Sequence, residues 1–250
     1  MRKFNLKALL SLWAALVVLL GLLPSDCWAS SPQTSKTLKQ PHSSEDSSSQ
    51  IQQHPFMHRA VLIDVGHGGI DGGTSFQGLL EKDINLAISR RLYMLLRSEG
   101  IPAVLNRDQD YALSDDNRWH ASRSRHQRDL SQRKQLSHEI PTAMIVSIHV
   151  NWAKNSSRSG GIVLHQPEGR STLLAGCIQR QFNELYQLQH TFTVGKPFYL
   201  LKLSEVPAVI VETGFISHPS DRQKLTSRKG QVEISEAIVK GIISYLTMYE

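Results

Sequence analysis

Two histidines in this chain stand next to apolar runs, and a glutamate lies between them. His67 follows the apolar run 61–65 and has glycines on both sides. His149 ends a second run, 143–149, and Glu81 lies between the two histidines. Imidazole and carboxylate groups suit zinc, and three protein ligands leave the fourth tetrahedral position for water, as a catalytic site requires. The pattern suggests a metal site, and the alternative stays open because a lone histidine at a strand end is more often a hydrogen-bonded structural residue.

The glycines around His67 also resemble a dinucleotide-binding loop. That loop needs glycine at the first, third and sixth positions of a turn that opens a helix. Counted from Gly66, the third position is Gly68, but the sixth is Asp71. The next helical pattern begins only near Asp83, so no helix N-terminus follows the glycines to hold a pyrophosphate. The sequence therefore disfavours nucleotide binding.

A third apolar run, 208–211, leads directly into Glu212. A carboxylate within apolar sequence is costly to bury unless it is paired or protonated, and this environment raises a pKa into the range useful for acid/base chemistry. Two interpretations stay open from the residues alone. Glu212 is either an acid/base group or the partner of an arginine such as Arg107 in a structural ion pair.

These residues must be positioned by the elements that surround them. Hydrophobic periodicity predicts strands at residues 59–65, 101–106, 143–149, 161–165, 197–203 and 207–212, and helices at 83–99, 127–139, 171–188 and 230–248. Strands that alternate with helices are typical of α/β proteins. We therefore expect a single α/β domain of the phosphorylase/hydrolase-like kind, with a mainly parallel central sheet flanked by helices. Loops at strand ends are where such proteins place their chemistry.

The N-terminal residues differ in composition from the rest of the chain. Residues 1–29 combine early basic residues with an apolar stretch, which predicts a secretory signal peptide or, alternatively, a membrane anchor. Residues 30–57 are rich in Ser and Gln, so we expect a disordered tether, followed by a catalytic domain at 58–250. Cleavage of the signal would leave Cys177 as the only cysteine and exclude an intramolecular disulfide.

The chain carries a net charge of +6. Its densest basic stretch, residues 118–134, contains only Trp119 as an aromatic residue and lacks the interleaved aromatics of a single-strand nucleic-acid platform. We therefore expect no nucleic-acid partner. The scattered positive charge is typical of a solvated surface and is also compatible with an anionic polymer such as a cell wall.

Four segments between residues 59 and 246 resemble, in the same order along the chain, the motifs of the zinc-dependent N-acetylmuramoyl-L-alanine amidase family. They are Asp64-Val65-Gly66-His67-Gly68-Gly69, Glu81-Lys82-Asp83, Ser147-Ile148-His149-Val150-Asn151 and Pro207-Ala208-Val209-Ile210-Val211-Glu212-Thr213-Gly214-Phe215. The resemblance implies one zinc ion held by His67, Glu81 and His149, with Glu212 as the catalytic acid and peptidoglycan as the substrate. Asn151 is expected either to hydrogen-bond the substrate or to orient its loop. The family usually has other residues at Val65, Asn106 and His218, none of them a proposed ligand.

Within that family, residues 79–83 and 129–133 resemble the spore-cortex amidases, which act in germination-related wall metabolism. The resemblance implies a role in forming cortex muramic-δ-lactam, an accessory sporulation protein as a possible partner, and an extracytoplasmic location in the cell wall or the forespore intermembrane space. Membrane contact is expected only through the N-terminal segment. Two alternatives remain: a non-catalytic peptidoglycan-binding module, and another wall zinc hydrolase such as a peptidase or deacetylase. The HExxH motif of common zinc peptidases is absent.

Overall fold

A computed structural model describes residues 59–115 and 122–249 of the chain. The signal or anchor predicted at 1–29 and the tether predicted at 30–57 lie outside these residues. Among the described helices, none is both long and apolar enough to cross a bilayer.

The described residues form an α/β domain around a six-stranded sheet. The strands are β1 (Ala60–Val65), β2 (Ser75–Phe76), β3 (Leu79–Leu80), β4 (Ala103–Leu105), β5 (Thr142–Asn151), β6 (Ile162–His165), β7 (Thr193–Val194) and β8 (Ala208–Phe215). The sheet order is β4-β1-β5-β8-β6-β7, and β2 pairs with β3 in a separate hairpin. All pairings in the sheet are parallel except that of β6 with β8. The predicted fold class, with a mainly parallel central sheet, is confirmed.

Helices cover both faces of the sheet. They are α1 (Glu81–Ser98), α2 (Arg125–Glu139), α3 (Gly169–Tyr186), α4 (Tyr199–Leu203), α5 (Pro219–Thr226) and α6 (Arg228–Tyr249), with a short 3₁₀ turn at Leu113–Asp115. The apolar faces of α1, α3 and α6 pack on one side of the sheet and form the main core. On the other side, α2 and α4 cover a smaller apolar cluster.

The pleat of the parallel strands decides which side chains share the second face. Leu62, Ile145 and Ile210 belong to the small cluster under α2 and α4. Side chains alternate between faces with a period of two, so the residues two positions further along each strand point the same way. Each central strand therefore begins on this face with an apolar anchor and continues towards its C-terminal end with polar side chains.

The segment 197–203 was predicted as a strand, and that prediction is wrong. It contains the short helix α4, in which the consecutive residues Leu200 and Leu201 are both buried. A short apolar run cannot be assigned to strand or helix by periodicity alone. The neighbouring edge strand is the two-residue β7 instead. The remaining predicted strands and helices are present, and α5 is an additional helix directly before α6.

Candidate metal centre

The three predicted ligands meet at the C-terminal edge of the sheet. His67 lies in the loop after β1, Glu81 is the first residue of α1, and His149 lies in β5. The Oε1 atom of Glu81 is 3.2 Å from His67 Nε2 and 3.0 Å from His149 Nδ1. One ligand atom from each residue lies within 4.8 Å of the others. Two imidazole nitrogens and one carboxylate oxygen that converge in this way fit a zinc ion with an open fourth position.

The backbone around His67 is shaped to bring the ligands together. His67 has a positive φ of 60°, which is unusual for a non-glycine residue and is tolerated where the surroundings hold it. A Cβ added at Gly66 would lie 2.5 Å from His149 Cε1. One added at Gly73, where φ is +66°, would lie 2.5 Å from Glu81 Oε2. Glycine is therefore needed at 66 and 73 because the loop backbone approaches two ligands closely.

Asp71 orients the first ligand. Its Oδ2 atom lies 3.0 Å from Nδ1 of His67, on the opposite side of the ring from Glu81. A carboxylate on one ring nitrogen places the proton there and leaves the other nitrogen free to bind a metal. Sequence reasoning did not find Asp71 as a site residue. Its position four residues after His67 in the same glycine-rich loop was the available signal.

Charge balance around the ligands favours a cation. Burial opposes protonation of His67, but hydrogen bonds and charge from Glu81 and Asp71 outweigh it and raise the pKa of His67 to about 9. Burial likewise opposes ionisation of Glu81, but hydrogen bonds from the two histidines hold the pKa of its carboxyl well below the usual range. Backbone N–H groups of Thr74 and Val150 also donate to Glu81, over 2.7 and 3.0 Å. The carboxylate is thus fixed in its ionised form, as a metal ligand must be.

A buried ion-pair network lies directly beneath the ligands. Arg133 Nη1 lies 2.6 Å from Asp64 Oδ1, and its Nε lies 2.7 Å from Asp129 Oδ2. Asp64 also accepts hydrogen bonds from the side chains of Ser147 and Asn106. Burial opposes ionisation of Asp64, but the charge of Arg133 and the Ser147 hydroxyl outweigh it and lower its pKa. Asn106, a departure from the usual family residue, thus has a clear structural role here.

Glu212 stands beside the ligands on the neighbouring strand. It is the register partner of His149 in the parallel pairing of β5 with β8. Burial raises the pKa of its carboxyl, and the nearby charge of Glu81 adds to this, against the opposing effect of the two histidines. The alternative ion pair with Arg107 does not form. Arg107 is buried and donates instead to the backbone carbonyl oxygens of Val65, Gly66, Lys82 and Gln109.

Two further sequence candidates have local structural contacts. The side-chain oxygen of Asn151 accepts a hydrogen bond of 2.7 Å from the backbone N–H of Trp152, which orients the loop after β5. His218 caps the first turn of α5 and accepts from the Asp221 N–H, away from the ligands. Cys177 is buried and unpaired in α3.

The ligands and Glu212 open into one cleft of about 490 Å³. Its lining also includes Asp71, Arg133, Asn151, Trp152 and Phe198, so residues from distant parts of the chain share one cavity. Arg133, Trp152 and Phe198 were not predicted as site residues. A larger groove of about 920 Å³ runs along α3, but it contains neither the ligands nor Glu212. The positions of the predicted ligands and Glu212 therefore place the candidate site in the smaller cleft.

Comparison with known proteins gives a consistent family. A family model described as N-acetylmuramoyl-L-alanine amidase matches residues 61–244. The uncharacterized protein YqiI of Bacillus subtilis is 38% identical over 194 residues, covering 76% of this chain and 86% of that protein. The germination-specific N-acetylmuramoyl-L-alanine amidase of the same organism is 30% identical over 197 residues, covering 77% of this chain and 82% of that protein.

Solved structures agree with the sequence relatives. The CwlD amidase from Clostridioides difficile, solved in complex with the GerS lipoprotein, matches with a TM-score of 0.71 and 31% identity. The match covers 76% of this chain and all of the CwlD chain, 100%. The amidase AmiC2 of Nostoc punctiforme matches with a TM-score of 0.64 and 32% identity, covering 76% of this chain and 97% of that chain.

Proposed function

The chain belongs to the N-acetylmuramoyl-L-alanine amidase family and is a peptidoglycan amidase, and from this premise we propose that it is a zinc-dependent enzyme of spore-cortex maturation. The bond to be hydrolysed joins the lactyl group of N-acetylmuramic acid to L-alanine of the stem peptide. The observation that carries the proposal is the convergence of His67, Glu81 and His149 beside Glu212. In the proposed assignment the first three hold the metal and Glu212 is the catalytic residue.

A zinc ion bound by these three residues would polarise the scissile carbonyl group and lower the pKa of a water molecule enough to make hydroxide available near neutral pH. Glu212 accepts a proton from the water molecule while the water oxygen attacks the carbonyl carbon. The C–N bond then breaks, and Glu212 delivers the proton to the departing L-alanine nitrogen. The burial that raises the pKa of Glu212 makes it a stronger base and allows it to hold the proton between the two steps. Asp71 keeps the His67 ring in the ligating orientation throughout.

The spore role rests on the relatives. One curated relative is named as germination-specific, and the CwlD structure was solved with a lipoprotein partner. We propose that this enzyme likewise removes stem peptides in the cortex so that muramic-δ-lactam can form, with an accessory sporulation protein as a partner. Residues 1–29 would export the chain or anchor it, and residues 30–57 would tether the catalytic domain outside the cytoplasm.

The test is digestion of purified cortex and vegetative peptidoglycan, with and without a chelator, followed by mass analysis of the products. Release of intact stem peptides and of muramic acid without peptide, lost on chelation and restored by Zn²⁺, is the expected result. Shortened peptides or deacetylated sugars would identify another wall hydrolase instead. Binding to peptidoglycan without any product would identify a non-catalytic module. That alternative is disfavoured because the three proposed metal ligands and Glu212 are all present in the sequence.

A further inference from the structure

Exposed aromatic side chains are concentrated at the metal cleft. Of the residues that the structure describes, four aromatic side chains are strongly exposed: Trp152, Phe192, Phe198 and Tyr199. All except Phe192 line the cleft that holds the ligands and Glu212. Large exposed apolar side chains grouped around a few polar groups are typical of a ligand-binding surface.

The backbone of these three residues is held in place although their side chains are open to solvent. Trp152 is 49% exposed, and its N–H is bound by the side chain of Asn151. Phe198 is 37% exposed and caps the N-terminus of α4, where its carbonyl oxygen accepts from the N–H of Lys202. The buried Leu200 of α4 anchors this helix in the small apolar cluster. The aromatic side chains are therefore presented on fixed elements, which lowers the entropy lost when a ligand binds.

The cleft also contains charged and titratable side chains from several elements. His67, Asp71 and Glu81 come from the loop after β1 and the start of α1, and His126 lies in the first turn of α2. These four residues are termed the charged part of the cleft, and Trp152, Phe198 and Tyr199 its aromatic part. A stem peptide carries polar and charged groups, which polar and charged side chains can bind, whereas a pyranose ring is uncharged and presents C–H groups on its faces, which pack against aromatic rings.

The bond to be cleaved requires a sugar close to the metal ligands. The lactyl carbonyl carbon is separated from the muramic acid ring by three covalent bonds, so the ring lies within about 4 Å of it, given bond lengths near 1.5 Å. Trp152 follows His149 by three positions, so the Cα atoms of the two residues lie within roughly 10 Å of each other. An indole side chain can reach a sugar over that distance.

We propose that Trp152, Phe198 and Tyr199 form a subsite for the glycan strand of the substrate, with the stem peptide in the charged part of the cleft. This inference rests on the proposed function, because it takes the lactyl–alanyl bond as the reacting group.

The two products of the reaction provide the test. Glycan fragments stripped of peptide and free stem peptide are each measured as competitive inhibitors of the wild type and of Trp152→Ala and Phe198→Ala variants. The inhibition constant of the glycan should rise about 3- to 10-fold in both variants. The inhibition constant of the free peptide should stay unchanged, and Trp152→Phe should restore much of the glycan binding.

Phe192→Ala is the matched control, since Phe192 is also 37% exposed but lines the groove along α3. It should alter neither inhibition constant. The inference is overturned if the glycan does not inhibit the wild type, if its inhibition constant is unchanged in the variants, or if peptide binding weakens equally. Failure of the wild type to release stem peptides would instead overturn the proposed function, so the two failures are distinguishable.

Discussion

Arg133 donates a hydrogen bond of 3.0 Å from Nη2 to the backbone carbonyl oxygen of His67, 66 residues away in the chain. The same guanidinium donates to the carbonyl oxygen of Val65 over 2.8 Å and pairs with Asp64. A single buried side chain of α2 therefore holds the end of β1 and the loop in which His67, the proposed metal ligand, has a left-handed conformation. We regard Arg133 as a positioning residue for the metal centre.

Replacing Arg133 by Lys should weaken zinc binding. An ammonium group cannot reproduce the fork of donors that reaches Asp64, Asp129 and His67 together. We expect about a 10- to 100-fold rise in the zinc dissociation constant, the range typical for groups that support metal ligands, measured by competition with a chromophoric chelator. Arg91→Lys is the control, because among the described residues Arg91 donates only to a carbonyl oxygen of its own helix. Equal zinc affinities in the two variants would contradict the assignment.

Replacing Asp71 by Asn should have a similar effect for a different reason. Asn keeps the shape of the side chain but removes the negative charge that holds the proton on His67 Nδ1. Zinc affinity is expected to fall about 10- to 100-fold. Zinc content after dialysis against graded chelator concentrations measures the effect, with Asp108→Asn, at an exposed position, as the control. Unchanged zinc retention would show that Asp71 does not act on the ligand.

Glu212→Gln should separate metal binding from catalysis. The amide cannot take up and release the proton, so the rate of amide cleavage should fall by at least about 10²-fold, the lower end for general acid/base groups. Zinc content should be unchanged because Glu212 is outside the ligand set. Peptide release from peptidoglycan and metal analysis are measured on the same preparation. Glu184→Gln, in α3 and away from the cleft, should retain full activity, and wild-type rates from Glu212→Gln would remove the proposed role.

Protonation of Asp64 should make the domain less stable in acid. Its pKa in the folded protein lies below the ordinary value for an aspartate, so its ionised form stabilises the fold above that ordinary value, and this contribution is lost as the pH falls through the lower folded pKa. Asp64→Asn should lower the free energy of unfolding at pH 7 by about 3 kcal/mol, the low end for a broken buried pair, since Asp129 still pairs with Arg133. Denaturant unfolding at pH 7 and pH 3 checks this. The variant should lose less stability than the wild type between these pH values, and an equal loss would contradict the prediction.

Sequence patterns predicted the α/β class and most of the strands and helices, and they singled out His67, Glu81, His149 and Glu212 as candidates whose roles were assigned from the family resemblance. They could do so because each of these four candidates lies at or near the end of an apolar run or the start of a helical one. Such local patterns can be read from the sequence alone. The predicted strand at 197–203 failed because its apolar residues fit a buried helix as well as a strand. The tertiary fold, not the local run, decided that α4 should cover the small apolar cluster.

The sequence by itself therefore determined the α/β arrangement of strands and helices and predicted a set of candidate reactive groups. Only the tertiary structure decided that Arg133 supports the His67 loop, that Arg107 binds backbone carbonyl oxygens rather than Glu212, and that Trp152 and Phe198 share a cleft. The physical reason is that parallel strand order and helix packing bring together residues far apart in the chain, and no local periodicity encodes which arginine meets which carboxylate.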